Sequence, residues 1–346
     1  MTGNSVLKVS ACLMAGVLAM TAASLASTVV APLMLGLFII AVVWPLQRRL
    51  QSRLPKLLAL AITIVVTIAI AIAFASLVAW GFGRVGRSVI ADAARYQALY
   101  DSATAWLAER GVSVAGMWGE YFNVRWVLGI AHQMTGRVNR TLSFWLIVLI
   151  YVVLGLLEVD DACRRVRTLT NRNAAQILIA ATAETAAKFR KYILVRTQMS
   201  VMTGLLVWIF AWLVGLPLAA EWGIIAFALN YIPFIGPFIA TVFPTLLAMA
   251  QFSTWEAVLG VFACLNIIQF VVGSYIEPRV SGTVLSISPF VVLLSVFFWT
   301  FLWGLFGAFI GVPIAIAFIT FCAHHPSTQW LAHLLGGSPQ AVESTG

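Results

Sequence analysis

A chain of 346 residues that is 62% hydrophobic and only 10% charged, with mean hydropathy +0.98, is excluded from the soluble globular class, where about a quarter of residues are charged. Its formal net charge of +9 does not point to a nucleic-acid partner, because the basic residues cluster beside apolar runs and act there as topology determinants and contacts to anionic lipid. The fold class expected is all-α, a polytopic protein embedded in the lipid bilayer.

Residues 1 to 27 have the layout of a secretory signal, with Lys8, an apolar run and the small residues Ser24 and Ala26. They also suit a retained first span over Val9 to Ser24, the reading adopted because a polytopic protein inserts without a cleaved leader. Val29 to Leu46 gives a second span, followed by Arg48, Arg49, Arg53 and Lys56 with no acid among them, the strongest cytoplasmic mark in the chain. Leu57 to about Gly83 returns the chain outside. In the mixed segment from Arg84 to Arg140, runs such as Ser88 to Arg110 alternate charged and apolar residues at helical spacing, and the segment reads as amphipathic helices at the interface or in a small outer domain, with no catalytic motif.

Thr141 to Leu157 is a fourth span, and Arg164, Arg165, Arg167 and Arg172 behind it agree with the side assigned to Arg48. Ala174 to Arg196 is expected as a separate amphipathic helix along the inner surface, with Glu184 and Lys188 one turn apart. Met199 to Leu216 is the fifth span. The layout thus divides into a three-span scaffold (1–83), an outer segment (84–140), a fourth span with its inner helix (141–198), a transport region (199–325) and a loose tail (326–346). Both termini fall on the cytoplasmic side.

Two apolar runs are interrupted near their middles. In 222–249 the stretch Asn230-Tyr231-Ile232-Pro233-Phe234-Ile235-Gly236-Pro237 breaks the helix, since each proline removes a donor and Gly236 permits angles closed to other residues. Its arms, Trp222 to Ile232 and Phe238 to Met249, hold 11 and 12 residues. Each covers roughly 16 to 18 Å, about half a hydrocarbon core. In 289–321 the glycines Gly304, Gly307 and Gly311 precede Pro313, with arms Pro289 to Trp303 and Ala308 to Phe321. Two re-entrant hairpins beside about six full spans is the expected architecture, the first hairpin entering from outside and the second from the cytoplasm. Full crossings would instead put Arg279 outside.

Candidate binding residues follow from these breaks. Half-helix ends from Pro233 through Gly236 to Pro237, and from Gly304 to Gly307, present unpaired amides and carbonyls to a solute, and Asn230, Asn266 and Gln269 add neutral hydrogen bonds. On the Trp255 to Ser274 span, Asn266, Gln269, Gly273 and Glu277 fall at i, i+3, i+7 and i+11, one helical face. That face suits either hydrogen bonding between helices or contact with substrate. Glu277 and Arg279 are the candidates for ion coupling, the bland alternative for Glu277 being an ion pair with Arg279 or a cap. The cysteines Cys12, Cys163, Cys264 and Cys322 lack metal-ligand spacing, and the adjacent His324 and His325 point to different helix faces, so neither a metal nor another cofactor is expected.

The run NYIPFIGPFIA, then Glu277-Pro278-Arg279, Ser288-Pro289 and GLFGAFIGVPIA, resembles the pattern of the autoinducer-2 exporter family of bacterial inner-membrane permeases. The layout before Asn230 fits as well, although the specific motifs occupy only the last third. The resemblance implies a homo-oligomer, pentameric in that family, and two hairpins that carry the substrate in an elevator-like stroke.

The function expected is export of a small polar organic solute, an autoinducer-2-like signal or a related metabolite. The absence of an acid or base in the hairpins argues against a strongly charged substrate. Rival readings are a sodium/proton-type cation antiporter, for which Glu277 is the nearest intramembrane acid, and a passive channel or scaffold. An enzyme is disfavoured by the lack of a His-Glu-x-x-His, Gly-x-Ser-x-Gly or paired intramembrane Asp signature.

Overall fold

The computed structural model describes residues 24–92, 124–252, 254–281 and 287–336, with single residues within 10–22 and 97–110; the side chains of 124–140 are outside this description. Parts of the expected first span and of the outer segment, and the tail beyond 336, lie outside the described residues. The described residues are helical throughout, apart from turns and one isolated bridge between Ile287 and Gly336. The helices are α1 (Ser27–Gln51), α2 (Lys56–Ala91), α3 (Val124–Arg167), α4 (Arg172–Leu213), α5 (Ala219–Leu229), α6 (Ile235–Gln251) and α7 (Trp255–Phe270). A π-helical segment, Val271–Ile276, leads into α8 (Glu277–Ser281), followed by α9 (Pro289–Trp303), α10 (Leu305–His324) and α11 (Gln329–Leu335).

Six of the described helices are long and apolar enough to cross a membrane: α1, α2, Thr141–Arg167 within α3, α4, the continuous run Trp255–Ser281, and α10. Two expectations are corrected. The inner amphipathic helix and the fifth span are one 42-residue helix, α4, about 63 Å long. No glycine or proline separates them, so nothing stops the backbone ladder at Arg196. The last arm is also longer than read: α10 holds 20 residues, because Leu305 starts it directly after Gly304.

The chain separates into two compact units. The first comprises 1–66, 143–193 and 282–346, the second 67–142 and 194–281. In the first unit, α1 and α3 lie close: a Cβ on Gly36 would stand 3.0 Å from the Tyr151 Cβ, and one on Gly155 would overlap Ile40. Small residues here let the backbones approach, which supplies van der Waals contact that lipid cannot. Phe38 of α1 packs on Phe189 of α4 and Phe309 of α10, at 5.1 and 6.2 Å between ring centroids.

The α9–α10 pair is an antiparallel hairpin. Val291 near its start packs with Ala315 and Ile319 near its end. At the tip, Gly304 has φ +63°, a region open chiefly to glycine. A Cβ on Gly307 would overlap the Trp299 carbonyl oxygen, so glycine is required there by close approach. Phe306, just past the tip, stacks on Phe144 at 4.0 Å. The opposite end is tied to α4: Lys188 reaches the Thr320 hydroxyl at 3.2 Å and Glu184 at 2.7 Å, and His324 Nε2 lies 3.3 Å from Glu184. His324 is thus a contact of the last α10 turn.

In the second unit, a buried apolar cluster joins Val85 of α2, Val207 and Ala211 of α4, Trp222 and Ala226 of α5, Leu247 of α6 and Leu265 of α7. Gly204 of α4 and Gly223 of α5 meet so closely that a Cβ on either would lie 2.8 Å from the other's carbonyl oxygen. The two hairpin glycines give a direct test. Gly236→Ala and Gly307→Ala should each lower stability by about 2 kcal/mol or more. Gly260→Ala, with nothing within 4 Å of the added Cβ, should leave it unchanged; thermal unfolding of detergent-purified protein reads the difference.

Candidate functional site

The α5–α6 hairpin turns over five residues. α5 ends at Leu229, and the Ile232 and Gly236 amides donate to the Leu229 and Ile232 carbonyls at 2.9 and 3.0 Å. Pro233 lies in the turn, while Pro237 sits in the first turn of α6, where a missing amide costs nothing. The backbone strain is at Phe234, not at Gly236 as the sequence suggested. Phe234 has φ +62° and ψ −54°, and the Ile235 amide donates to the Pro233 carbonyl at 2.7 Å, a γ-turn of the rare, strained hand. Gly236 answers a different need: a Cβ there would overlap the Leu229 carbonyl oxygen.

Both ends of this hairpin lie at the Leu213 end of α4. α5 follows within six residues of Leu213, and Gln251 at the end of α6 donates to the Gly215 carbonyl at 2.8 Å. The tip lies far along the same helix. The Asn230 amide reaches Ser200 Oγ at 3.4 Å and the Tyr231 hydroxyl reaches Thr197 Oγ1 at 3.0 Å. Leu213 stands 13 residues from Ser200 and 16 from Thr197, about 20 to 24 Å at helical rise. The Tyr231 ring is held edge-on by Phe74 and Phe227, at 5.6 and 5.7 Å.

The tip therefore rests on a polar strip of α4. Arg196, Ser200 and Thr203 fall at i, i+4 and i+7, with Thr197 beside them. Arg196 makes a two-pronged ion pair with Glu277, both contacts at 3.2 Å. Its side chain is 12% exposed and that of Glu277 24%. Thr203 is fully buried, and its hydroxyl has no hydrogen-bond partner among the described residues. Chemically, the strip offers hydroxyl and amide groups beside a charge-neutral ion pair, a surface suited to an uncharged polar molecule.

Sequence reasoning placed Glu277 beside Arg279, and the structure corrects the partner. Arg279 lies over the Tyr275 ring at 3.6 Å, and Glu277 turns to Arg196, 81 residues earlier. The cause is Pro278. It cannot donate to the Ser274 carbonyl and its ring crowds it, and the backbone widens into the π segment, with the Glu277 amide donating to Val272 instead. The wider turns change the helical phase, so Glu277 leaves the line of Asn266 and Gln269. Asn266 is exposed and bonds the Phe262 carbonyl of its own helix at 2.8 Å; Gln269 is half-buried. Gly304 and Gly307 belong to the first unit and shape its hairpin tip.

Sequence reasoning missed Arg196, Thr197 and Ser200. Splitting α4 at Arg196 cut their spacing in two; read as one helix, the strip is visible. It also missed Glu221. Counted just outside the hairpin, Glu221 lies within α5, is 4% exposed, and pairs with the half-exposed Arg84 at 3.0 Å. Arg84 also stands over the Trp80 ring.

A family model described as AI-2E family transporter matches residues 11–326. The AI-2 transport protein TqsA of Escherichia coli (strain K12) is 26% identical over 293 residues, 84% of each chain. The putative transport protein YhhT of the same organism is 32% identical over 209 residues, 60% of this chain and 56% of the relative. A putative transport protein of Borreliella burgdorferi is 36% identical over 127 residues, about a third of each chain.

The polar bed yields its own prediction. Glu277→Gln leaves Arg196 without a counter-charge and should cost about 3 kcal/mol of stability. Arg196→Met with Glu277→Met should recover most of that loss. A double-mutant cycle built from the two methionine variants and read by thermal unfolding measures the coupling, expected at about 2 kcal/mol or more.

Proposed function

The chain belongs to the AI-2E family of transporters, and from that membership we propose that it is a secondary membrane transporter exporting a small polar organic solute, an autoinducer-2-like signal or a related metabolite. One observation carries the reading: a strained hairpin tip lying 20 Å or more along α4 from the end where both its arms begin and finish. That arrangement supports a re-entrant hairpin, since a segment that starts and ends at one end of a membrane-crossing helix returns to the side it entered. Strain of this kind persists where the surroundings over-determine it and concentrates at clamps and switches.

Solute contacts are assigned to Asn230, Pro233, Gly236 and Pro237 at the first tip, with Asn266 and Gln269 on α7. Gly304 and Gly307 are assigned the same task at the second hairpin. Because Arg196 neutralises Glu277, the polar groups near the first tip favour an uncharged, hydroxyl-rich solute. The hairpin movement is elevator-like, and the protein a pentamer of independently working protomers, as the family resemblance implies. We place it in the bacterial inner membrane with both termini cytoplasmic, following the basic turns at Arg48 and Arg164.

A second reading, cation or proton antiport, gains support from Glu221, a buried acid inside the first hairpin arm. Flux separates the two. In proteoliposomes, Asn230→Leu should cut saturable solute flux by about tenfold or more while pH-driven cation exchange stays at background. Loss of cation exchange in Glu221→Gln, with solute flux intact, would instead establish antiport. For orientation, a cysteine replacing Ser281 should react only with reagent on the cytoplasmic side; labelling solely from outside would sink the re-entrant arrangement.

A further inference from the structure

We propose that the end of the first unit where α1 passes into α2 is a binding site for an anionic phospholipid, its phosphodiester gripped by the arginines of that turn. The turn lies beside the basic end of α3. Gly36 faces Tyr151 and Gly155 faces Ile40, so α1 and α3 run parallel with the same interval at both contacts. Carried along both helices, this register brings Arg49 level with Arg164. A hydrogen bond closes the corner: the Lys56 ammonium donates to the Leu157 carbonyl at 2.9 Å, capping a helical carbonyl rather than meeting a carboxylate.

The charge at this end is unbalanced. Seven cations, Arg48, Arg49, Arg53, Lys56, Arg164, Arg165 and Arg167, stand against Glu158, Asp160 and Asp161, and Asp161 is already taken by Arg164. Arg48, Arg49 and Arg53 are exposed, and among the described residues none has a carboxylate within ion-pair distance. Three guanidinium groups within six residues offer planar forks of the kind that hold phosphate oxygens two at a time.

An anion gripped here has an apolar neighbour. Leu57 and Leu58, directly after Lys56, are 73% and 49% exposed, and both begin a helix apolar enough to cross a membrane. Acyl chains lying along this face would extend from a headgroup held at the arginines. Free phosphate would use the forks but gain nothing from the leucines, and that difference assigns the ligand to lipid. The site is independent of what the protein transports.

Native mass spectrometry of the full chain in neutral detergent tests this, with phosphatidylglycerol, phosphatidylethanolamine and inorganic phosphate as separate probes. Phosphatidylglycerol should be retained about tenfold more than phosphatidylethanolamine, and R48Q/R49Q/R53Q should abolish the excess. R48K/R49K/R53K keeps the positive charge that directs insertion, so it decides the matter if the glutamine variant fails to insert; retention should still drop several-fold because lysine lacks the fork. Equal retention of both lipids, undiminished retention by a correctly inserted glutamine variant, or lysine retention equal to the parent would each overturn the site. A phosphate adduct as persistent as the lipid adduct would overturn the assignment to lipid.

Discussion

Every backbone amide and carbonyl that this chain carries into lipid needs a partner inside the protein, since the hydrocarbon supplies none. The prolines make that constraint visible. Pro45 withholds the amide that would bond the Ala41 carbonyl, and Arg190 of α4 fills the place with its guanidinium at 3.0 Å. Pro278 cannot serve the Ser274 carbonyl, and the helix answers by widening into six π-helical residues. At the first hairpin tip the break is closed by its own turn, through the Ile232, Ile235 and Gly236 amides, while the side chains of Asn230 and Tyr231 bond hydroxyls of α4. Irregular backbone survives here only beside groups able to complete it.

α4 supplies many of the polar contacts between segments. Up to Ile193 it belongs to the first unit, where Glu184 and Lys188 hold the end of α10; from Leu194 it belongs to the second, where Arg196, Thr197 and Ser200 receive the first hairpin tip. A helix so long in an apolar protein gains little from intrinsic propensity beyond its backbone ladder. Several of its polar residues, Lys188, Arg190, Arg196, Thr197 and Ser200, serve partners on other segments. The same logic explains why Glu277 abandons its near neighbour Arg279: an exposed pair contributes little, whereas a two-pronged pair with Arg196 balances a cation that is nearly nine-tenths buried.

The glycines divide into two kinds. Gly304 is demanded by its dihedral angle, and Gly236, Gly307, Gly204 and Gly223 by the approach of another backbone. Motif reading recognised Gly236, Gly304 and Gly307 as important but gave a dihedral reason for Gly236, while Phe234 bears the unfavourable angle. A bulky aromatic in that conformation has no sequence signature, because the strain is imposed by the turn's closure rather than by the residue's own preference.

Hydropathy alone determined that this is an all-helical multi-pass membrane protein, because apolar length and backbone pairing leave few other solutions. Two interrupted runs, centred on Asn230 to Pro237 and on Gly304 to Gly307, were equally legible, since proline and glycine act locally. What packs against those breaks was not. Arg196 with Glu277, Tyr231 with Thr197 and Asn230 with Ser200 join residues 30 to 81 positions apart, and only the folded register of α4, α5 and the widened end of α7 decides which meet. Periodicity fixes which face of a helix a residue occupies. It carries no information about the neighbour that face will find, nor about a change of phase such as the π segment, and these tertiary choices set the polar surface under the hairpin tip.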